Sequence, residues 1–409
     1  MHRANTRLSR TFGSLAIYNY RLFWFGQLIS LSGTWMQTTA QAWLVLKLTN
    51  SPVALGTVTM LQFLPITMLT LFGGVLADRL PKRTVIIGTQ STAAAQALLL
   101  AFLVLSNQVH VWEIYALALM LGIVNAFDTP TRQAFVVEMV GPEQLQNAIA
   151  LNSSLFNAAR IIGPAMGGLV ITTVGIGQAF LINGLSFFPV LAGLALMRPA
   201  EFFATPHLAR GKMLRQLAEG LRYVRSTPDV LLTMIAVGVL GTFGYNFTTI
   251  LPLIAKYVLH GGAGDLGLIT SAMGVGSLAA ALGVAGARQA SLKVLLSAAT
   301  FFSLMLILVG LSSWLPVTLI LLLVLGVMSI IFSASANTRV QLSTPAHLRG
   351  RVMSLYFLLF AGTTPLGAGA VGLLAARLGV QAAIVLMGSM CVIGVGIAAG
   401  LAHGPATAD

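Results

Sequence analysis

Twelve apolar stretches of membrane-spanning length fill most of this 409-residue sequence, and short charged or Pro- and Gly-containing breaks separate them. A helix needs about 20 apolar residues to cross a bilayer, so a chain that is 57% apolar holds enough for about twelve crossings. Membrane barrels show short alternating strands instead, and the unbroken runs therefore predict an all-α membrane protein. The expected spans are 22–47, 53–77, 84–105, 111–132, 146–174, 177–197, 229–257, 265–286, 292–312, 315–338, 350–375 and 380–402.

The charged residues are few and strongly biased in sign. They make up 8% of the chain, with 23 Lys and Arg against 10 Asp and Glu, for a net charge of +13. Such a balance suits either nucleic-acid binding or the cytoplasmic rim of a membrane protein. Nineteen cations fall in alternate loops counted from the N-terminus, whereas only Lys47, Lys256 and Arg377 fall on the other side. The positive-inside rule then predicts that both termini are cytoplasmic and that no nucleic acid is bound.

The longest hydrophilic segment divides the chain into two similar halves. We expect a six-helix half at 1–197, a cytoplasmic linker at 198–228 and a second six-helix half at 229–409. Short motifs recur about 200 to 210 residues apart, which indicates the parallel repeat of one large transporter class. Helical spacing inside the linker predicts an amphipathic helix with apolar Leu214, Leu217, Leu221 and Val224 opposite Arg215, Glu219 and Arg222.

Two motifs in the first half resemble signatures of the major facilitator superfamily. The loop between the second and third spans matches the superfamily's gating loop at Gly74, Asp78, Arg79, Lys82 and Arg83, although Pro81 replaces a glycine. The resemblance implies that this loop latches the two halves, with its cations reaching carboxylates on neighbouring helices. The fifth span resembles the core of the antiporter motif at Gly163, Pro164, Gly167 and Gly168, where we expect a bend and tight packing. Generic helix packing is the alternative interpretation of that glycine face.

Three further segments resemble one bacterial branch of this superfamily, the transmembrane secretion effectors. They are Tyr20-Arg-Leu-Phe-Trp24, Asp128-Thr-Pro-Thr-Arg-Gln133 and Leu348-Arg-Gly-Arg-Val-Met-Ser354. That branch includes enterobactin exporters and macrolide-efflux proteins. The resemblance covers nearly the whole chain, and it implies proton-driven export of a small molecule across the bacterial inner membrane by a monomer with no cofactor.

The polar residues inside the spans predict where a substrate binds. In the first span five of them recur at helical spacing on one face, which we expect to line a central cavity: Gln27, Ser30, Thr34, Gln37 and Gln41. The seventh span offers Thr242, Asn246 and Thr249, and the fifth span offers Asn157 and Arg160. Interhelical hydrogen bonding without a ligand is an equal alternative for the seventh span.

Arg160 is a cation deep within a span, and ionisable groups there are candidates for function. One hypothesis is that Arg160 attracts an anionic or polar group of the substrate and that Glu113, about 6 Å away along the axis, neutralises it and exchanges protons. A second hypothesis makes Asp128 the proton site. Asp128 is also placed to pair with Arg132, one helical turn later.

Other functions remain as alternatives. An enzyme or a metal site is not expected, because the six histidines are scattered over loops and termini and the single Cys391 lies in an apolar run. A lipid flippase that moves lysophospholipids and a non-transporting membrane sensor are the two competing hypotheses.

Overall fold

A computed structural model describes residues 12–203, 213–284 and 291–402, and within these ranges it leaves the side chains of 70–79, 213–217, 284, 346 and 402 undescribed. These ranges contain helices and no strand. After a short 3₁₀ turn at Gly13–Ala16, twelve helical spans follow. They are Tyr18–Thr49, Pro52–Arg79, Lys82–Leu105, 111–140, 142–173, Ile176–Leu196, Pro228–Val258, Ala263–Val284, Leu292–Leu311, Leu315–Leu342, His347–Leu378 and Val380–Ala402.

The fourth and fifth spans form one helical run, Val111–Thr173, of 63 residues. At 1.5 Å per residue it is about 95 Å long, roughly three times the hydrocarbon core of a bilayer. Gly141 is the residue with non-helical backbone in this run (φ 68°, ψ 178°), a conformation that glycine tolerates, and Pro142 begins the next helix. The chain therefore turns at Gly141. The break between the expected spans 111–132 and 146–174 is mostly helical, because helix continues on both sides of Gly141.

The two halves pack against each other through glycines at one end of the molecule. Gly56 of the second span lies against Gly372 of the eleventh, and Gly168 of the fifth lies against Gly267 of the eighth. In each pair a Cβ added to one glycine would lie 3.1 Å from the Cα of the other, so only glycine permits these approaches. We call this end the closed face, formed by the helix ends at 49–52, 173–176, 258–263 and 378–380.

Side chains add two contacts between the halves at the closed face. The ammonium group of Lys256 donates to the carbonyl of Leu46 near the end of the first span. The Tyr257 hydroxyl donates to Asn50 Oδ1 at 3.2 Å. Cationic groups are favourable at a helix C-terminus, where the last carbonyls have no helical partner.

The seventh and eleventh spans are interrupted where they face each other. The seventh contains two π-helical turns, Leu240–Gly244 and Ile254–Val258, on either side of the short helix Phe247–Leu253. The eleventh divides into Ala346–Phe360 and Thr364–Leu378. A Cβ on Gly241 would lie 2.5 Å from the carbonyl oxygen of Leu359, so the two irregular segments are in direct contact.

The linker between the halves contains the helix Met213–Ser226. Its Glu219 forms an ion pair with Arg351, its Tyr223 hydroxyl donates to the carbonyl of Ser343, and Val224 is buried. The predicted apolar residues Leu214 and Leu217, and Arg215 opposite them, lie outside the described side chains. The described part of the linker helix is attached to the C-terminal half.

Candidate functional site: a cavity with two lobes

A cavity of about 490 Å³, which we call the first lobe, opens beside the first span. Its walls come mainly from the first, second and fourth spans, and it extends from Ala42 to Phe23, Gln133 and Asn152 near the face opposite the closed one. Four residues of the predicted polar stripe line this lobe: Gln27, Ser30, Thr34 and Gln41. The polar face of the first span is thus turned toward an internal space large enough for a drug-sized molecule.

Gln37, the remaining residue of that stripe, does not line the lobe. Its Nε2 donates to Gln96 Oε1 at 3.0 Å, and its Oε1 accepts from Asn183 Nδ2 at 2.6 Å. These bonds join the first span to the third and sixth spans. Gln37 therefore holds helices together, since both its amide nitrogen and its amide oxygen bond to neighbouring helices.

Asp128 lies at the centre of a buried polar cluster beside the first lobe. Only 1% of its surface is exposed. One carboxylate oxygen forms an ion pair with Arg132, and the other accepts from Thr89 Oγ1 at 2.7 Å and from Gln90 Nε2 at 2.9 Å. The guanidinium of Arg132 also donates to Gln27 Oε1 at 2.6 Å. The predicted pairing of Asp128 with Arg132 is present, and the pair connects the fourth span to the first and third.

Three polar atoms of this cluster lack a hydrogen-bond partner among the described residues. They are Gln27 Nε2, Gln90 Oε1 and Arg132 Nε. The three side chains line the first lobe. Buried polar groups without partners are energetically costly. The cluster therefore has two donors and one acceptor next to the cavity that can still form hydrogen bonds.

Arg160 lines a second lobe of about 200 Å³ between the fifth, seventh and eighth spans. The two lobes adjoin, since Trp35, Phe63 and Thr248 line both of them. Tyr245 also borders the second lobe, and its hydroxyl donates to the carbonyl of Ser329 at 2.6 Å. Within the described part of the chain, Arg160 has no ion pair or hydrogen-bond partner.

Glu113 is not near Arg160 in the way that the first hypothesis requires. Its Oε2 accepts from the backbone N–H of His110 at 2.7 Å, and it thereby caps the start of the fourth span. The distance of about 6 Å expected along the axis is wrong. Glu113 lies two residues from the start of the fourth span, whereas Arg160 lies thirteen residues before the end of the fifth at the same face, which at 1.5 Å per residue separates them by about 16 Å in depth. Glu113 therefore has a structural partner, and Arg160 has none from this residue.

The predicted polar residues of the seventh span face other helices. Asn246 and Thr249 are fully buried, and Asn246 Nδ2 donates to the carbonyl of Thr242 at 2.7 Å. Asn246 also packs against Gly367 of the eleventh span. None of the three lines either lobe, whereas Thr248 lines both. The irregular turn before Phe247 changes which residues point inward, so helical spacing selected the wrong face here.

The glycine face of the fifth span packs against two helices. A Cβ on Gly163 would lie 2.7 Å from the carbonyl of Ser32 in the first span, and one on Gly167 would lie 3.2 Å from Thr39 Cβ. Gly168 and the carbonyl of Pro164 contact Gly267. Asn157, one turn before Arg160, donates to the carbonyl of Ser153 and lines neither lobe. The backbone stays helical through this motif.

The structure describes the side chains of Lys82 and Arg83 in the predicted gating loop. Lys82 Nζ lies 2.5 Å from Glu138 Oε1, and Arg83 donates to the carbonyls of Leu194 at 2.6 Å and Ala195 at 3.0 Å. These contacts lie within the N-terminal half. Gly74, Asp78 and Arg79 lie outside the described side chains.

Comparisons with known sequences match one protein family and several transport proteins. A family model described as "Transmembrane secretion effector" matches residues 9–406. The multidrug efflux pump Tap of Mycolicibacterium fortuitum is 28% identical over 91% of this chain and 94% of its own length. Macrolide efflux protein A of Streptococcus pyogenes is 24% identical over 90% and 92%. The staphyloferrin A transporter of Staphylococcus aureus is 24% identical over 64% and 66%.

Solved structures share the fold at low sequence identity. A peptide transporter of the POT family superposes with a TM-score of 0.75 at 13% identity, covering 94% of both chains. A bacterial homologue of the human lysosomal transporter Spinster, in an inward-facing conformation, gives a TM-score of 0.69 at 14% identity, covering 94% of this chain and 95% of its own.

Proposed function

Because this chain belongs to the transmembrane secretion effector family of the major facilitator superfamily, we propose that it exports a small hydrophobic or amphipathic molecule by proton-coupled alternating access. The observation that carries the proposal is the two-lobed cavity, bounded by both halves and sealed at one face by glycine contacts. The relatives' names fit this activity, since they include a multidrug pump, a macrolide efflux protein and a siderophore transporter.

We place both termini in the cytoplasm and the closed face outside. Nineteen of the 23 cations belong to loops on the opposite side from Lys47, Lys256 and Arg377. In this orientation the structure represents an inward-facing state, with the cavity reaching toward the cytoplasm. The other state requires the halves, 1–197 and 229–409, to rock apart at the closed face and approach each other at the cytoplasmic face, where the Gly74–Arg83 loop would latch them.

Asp128 is our candidate for the proton site. It is a buried carboxylate whose charge is balanced by Arg132, and Arg132 in turn holds Gln27 on the cavity wall. Protonation would remove half of this ion pair and leave the guanidinium free to rearrange toward the lobe. Glu113, which caps a helix at the closed face, is a weaker candidate.

The test uses everted membrane vesicles with an acidic lumen and a panel of fluorescent amphipathic dyes. We expect wild-type protein to accumulate dye against its gradient. Asp128→Asn should retain exchange of labelled for unlabelled dye but lose accumulation driven by the pH gradient. Glu113→Gln tests the other carboxylate and should accumulate dye as the wild type does, because Glu113 already bonds to the backbone at the closed face. Undiminished pH-driven accumulation by Asp128→Asn would exclude Asp128 as the proton site, and failure of every dye with wild-type protein would count against proton-driven export.

A further inference from the structure

The described side chains that line the cavity include positive charges and no negative ones. None of the described residues that line the two lobes is acidic. Two cations, Arg132 and Arg160, line the lobes, and the charge of Arg132 is neutralised by its ion pair with Asp128. Arg160 remains as a cation with no counter-charge among the described residues.

An uncompensated charge inside a membrane is expensive to maintain. Removing a cation from bulk water is costly unless a partner supplies an opposite charge and hydrogen bonds. The second lobe provides aromatic and hydroxyl groups around Arg160, including Trp35, Tyr245 and Thr270, and no carboxylate. The missing counter-charge is therefore best supplied by a molecule that enters the lobe.

The first lobe offers different chemistry. Apart from Arg132, which is paired with Asp128, its polar groups are neutral amides and hydroxyls, such as Gln41, Gln62 and Asn125, set among apolar side chains. This surface suits the uncharged body of a ligand, with apolar contacts supplying affinity and a few amides fixing orientation. The shared wall at Trp35 and Thr248 allows a single molecule to occupy both lobes.

We propose that the substrate is an amphipathic anion, whose acidic group binds Arg160 in the second lobe while its uncharged body lies in the first. A lipophilic cation would meet only the positive charge of Arg160 and no carboxylate in either lobe. This inference rests on the proposed function, because it names the substrate class of the same cavity.

The test compares ligands that differ only in charge. A bromophenyl-substituted pentanoate, the corresponding primary amide and the corresponding pentylamine are titrated into the full-length protein in detergent, with binding measured by calorimetry. Quenching of tryptophan fluorescence by the bromine, compared between wild type and Trp35→Phe, reports whether the ring lies at the shared wall. We expect the carboxylate to bind about tenfold or more tightly than the amide, as a charge-assisted bond to a guanidinium implies, and the amine to bind most weakly.

Variants assign the preference to one residue. Arg160→Gln should bring the carboxylate to within about twofold of the amide, and Arg160→Lys should keep part of the difference. Arg377→Gln, which removes an exposed cation at the closed face, is the control and should leave all three affinities unchanged. Equal affinities of wild-type protein for the three ligands, or tightest binding of the amine, would overturn the proposal even if Arg160→Gln does not fold.

The binding measurement is independent of transport. It is made at equilibrium without a pH gradient, so a failure of pH-driven dye accumulation leaves the charge preference standing. Conversely, loss of the charge preference leaves proton-driven export intact and refutes only the anionic substrate class.

Discussion

Gln37 and Gln41 lie one helical turn apart in the first span but have different surroundings. Gln37 bonds to Gln96 and Asn183, whereas Gln41 lines the first lobe and donates to Gln62 Oε1 at 3.2 Å. We expect Gln37→Leu to lower the free energy of unfolding by about 1 kcal/mol, because it leaves buried amides unpaired. The affinity for the bromophenyl-substituted pentanoate should stay within about twofold of wild type.

The same substitution at Gln41 is the matched comparison. Gln41→Leu should change the affinity for the bromophenyl-substituted pentanoate more than the free energy of unfolding, since the Gln41 side chain faces the first lobe. Thermal unfolding in detergent and calorimetric binding provide the two readouts. A Gln37→Leu protein of wild-type stability with weakened binding would contradict the assignment of Gln37 to helix packing.

The sequence predicted which residues share a face of one regular helix better than it predicted the relative depth of residues on two different helices. Four of the five residues in the polar stripe of the first span line the first lobe, because that span is a regular helix over Tyr18–Thr49. The sequence placed Arg160 and Glu113 at similar depths, whereas Glu113 lies at the start of the fourth span and Arg160 lies thirteen residues before the end of the fifth. It also missed Trp35 and Thr248, which line both lobes and carry no periodic polar signal.

At the level of helices, close approach of the fifth and eighth spans depends on paired glycines. A Cβ at Gly267 would lie 2.9 Å from the carbonyl of Pro164 and 3.1 Å from the Cα of Gly168. Gly267→Val should therefore force these spans apart and destabilise the closed-face state by about 1–3 kcal/mol. Gly88→Val in the third span is the control, because nothing lies within 4 Å of a Cβ at that position.

The measurement is the reactivity of a cysteine placed at Thr270, in the second lobe, toward a maleimide added from the closed face. Native Cys391 is fully buried and should react little. Gly267→Val should raise the labelling rate several-fold, and Gly88→Val should not. Unchanged labelling in Gly267→Val would show that the glycine pair does not control access.

The composition of the sequence predicted where the spans lie. It did not predict the irregular turns that interrupt them. The apolar runs located all twelve spans, because the need for about 20 apolar residues leaves few alternatives. The turn at Gly141 interrupts a segment that is helical on both sides, and only the Gly-Pro pair at 141–142 marks it in the sequence. The π-helical turn Leu240–Gly244 lies where the seventh span packs against the interruption of the eleventh, a tertiary contact that local spacing does not contain.

For the whole molecule, the contacts of Lys256 bear on the balance between conformations. Lys256 joins the C-terminal half to the carbonyl of Leu46 in the N-terminal half, at the face that must open if the halves rock. This contact exists only while that face is closed, so it stabilises the present state selectively, and its removal should shift the population toward the opposite state. Lys256→Met keeps most of the apolar stem and removes the donor. From the strength of a hydrogen bond to a charged group, we expect a population shift of about tenfold toward opening.

Spin labels at Leu48 and Trp314, which are exposed near the closed face in opposite halves, report this equilibrium by pulsed electron paramagnetic resonance. In Lys256→Met the distance distribution should gain a longer component that grows at the expense of the wild-type distance. Arg377→Met removes an exposed cation at the same face and should leave the distribution unchanged. If Lys256→Met also leaves it unchanged, then the glycine contacts and the Tyr257–Asn50 hydrogen bond hold the closed face without Lys256, and the positive charge at Lys256 contributes to topology rather than to the conformational equilibrium.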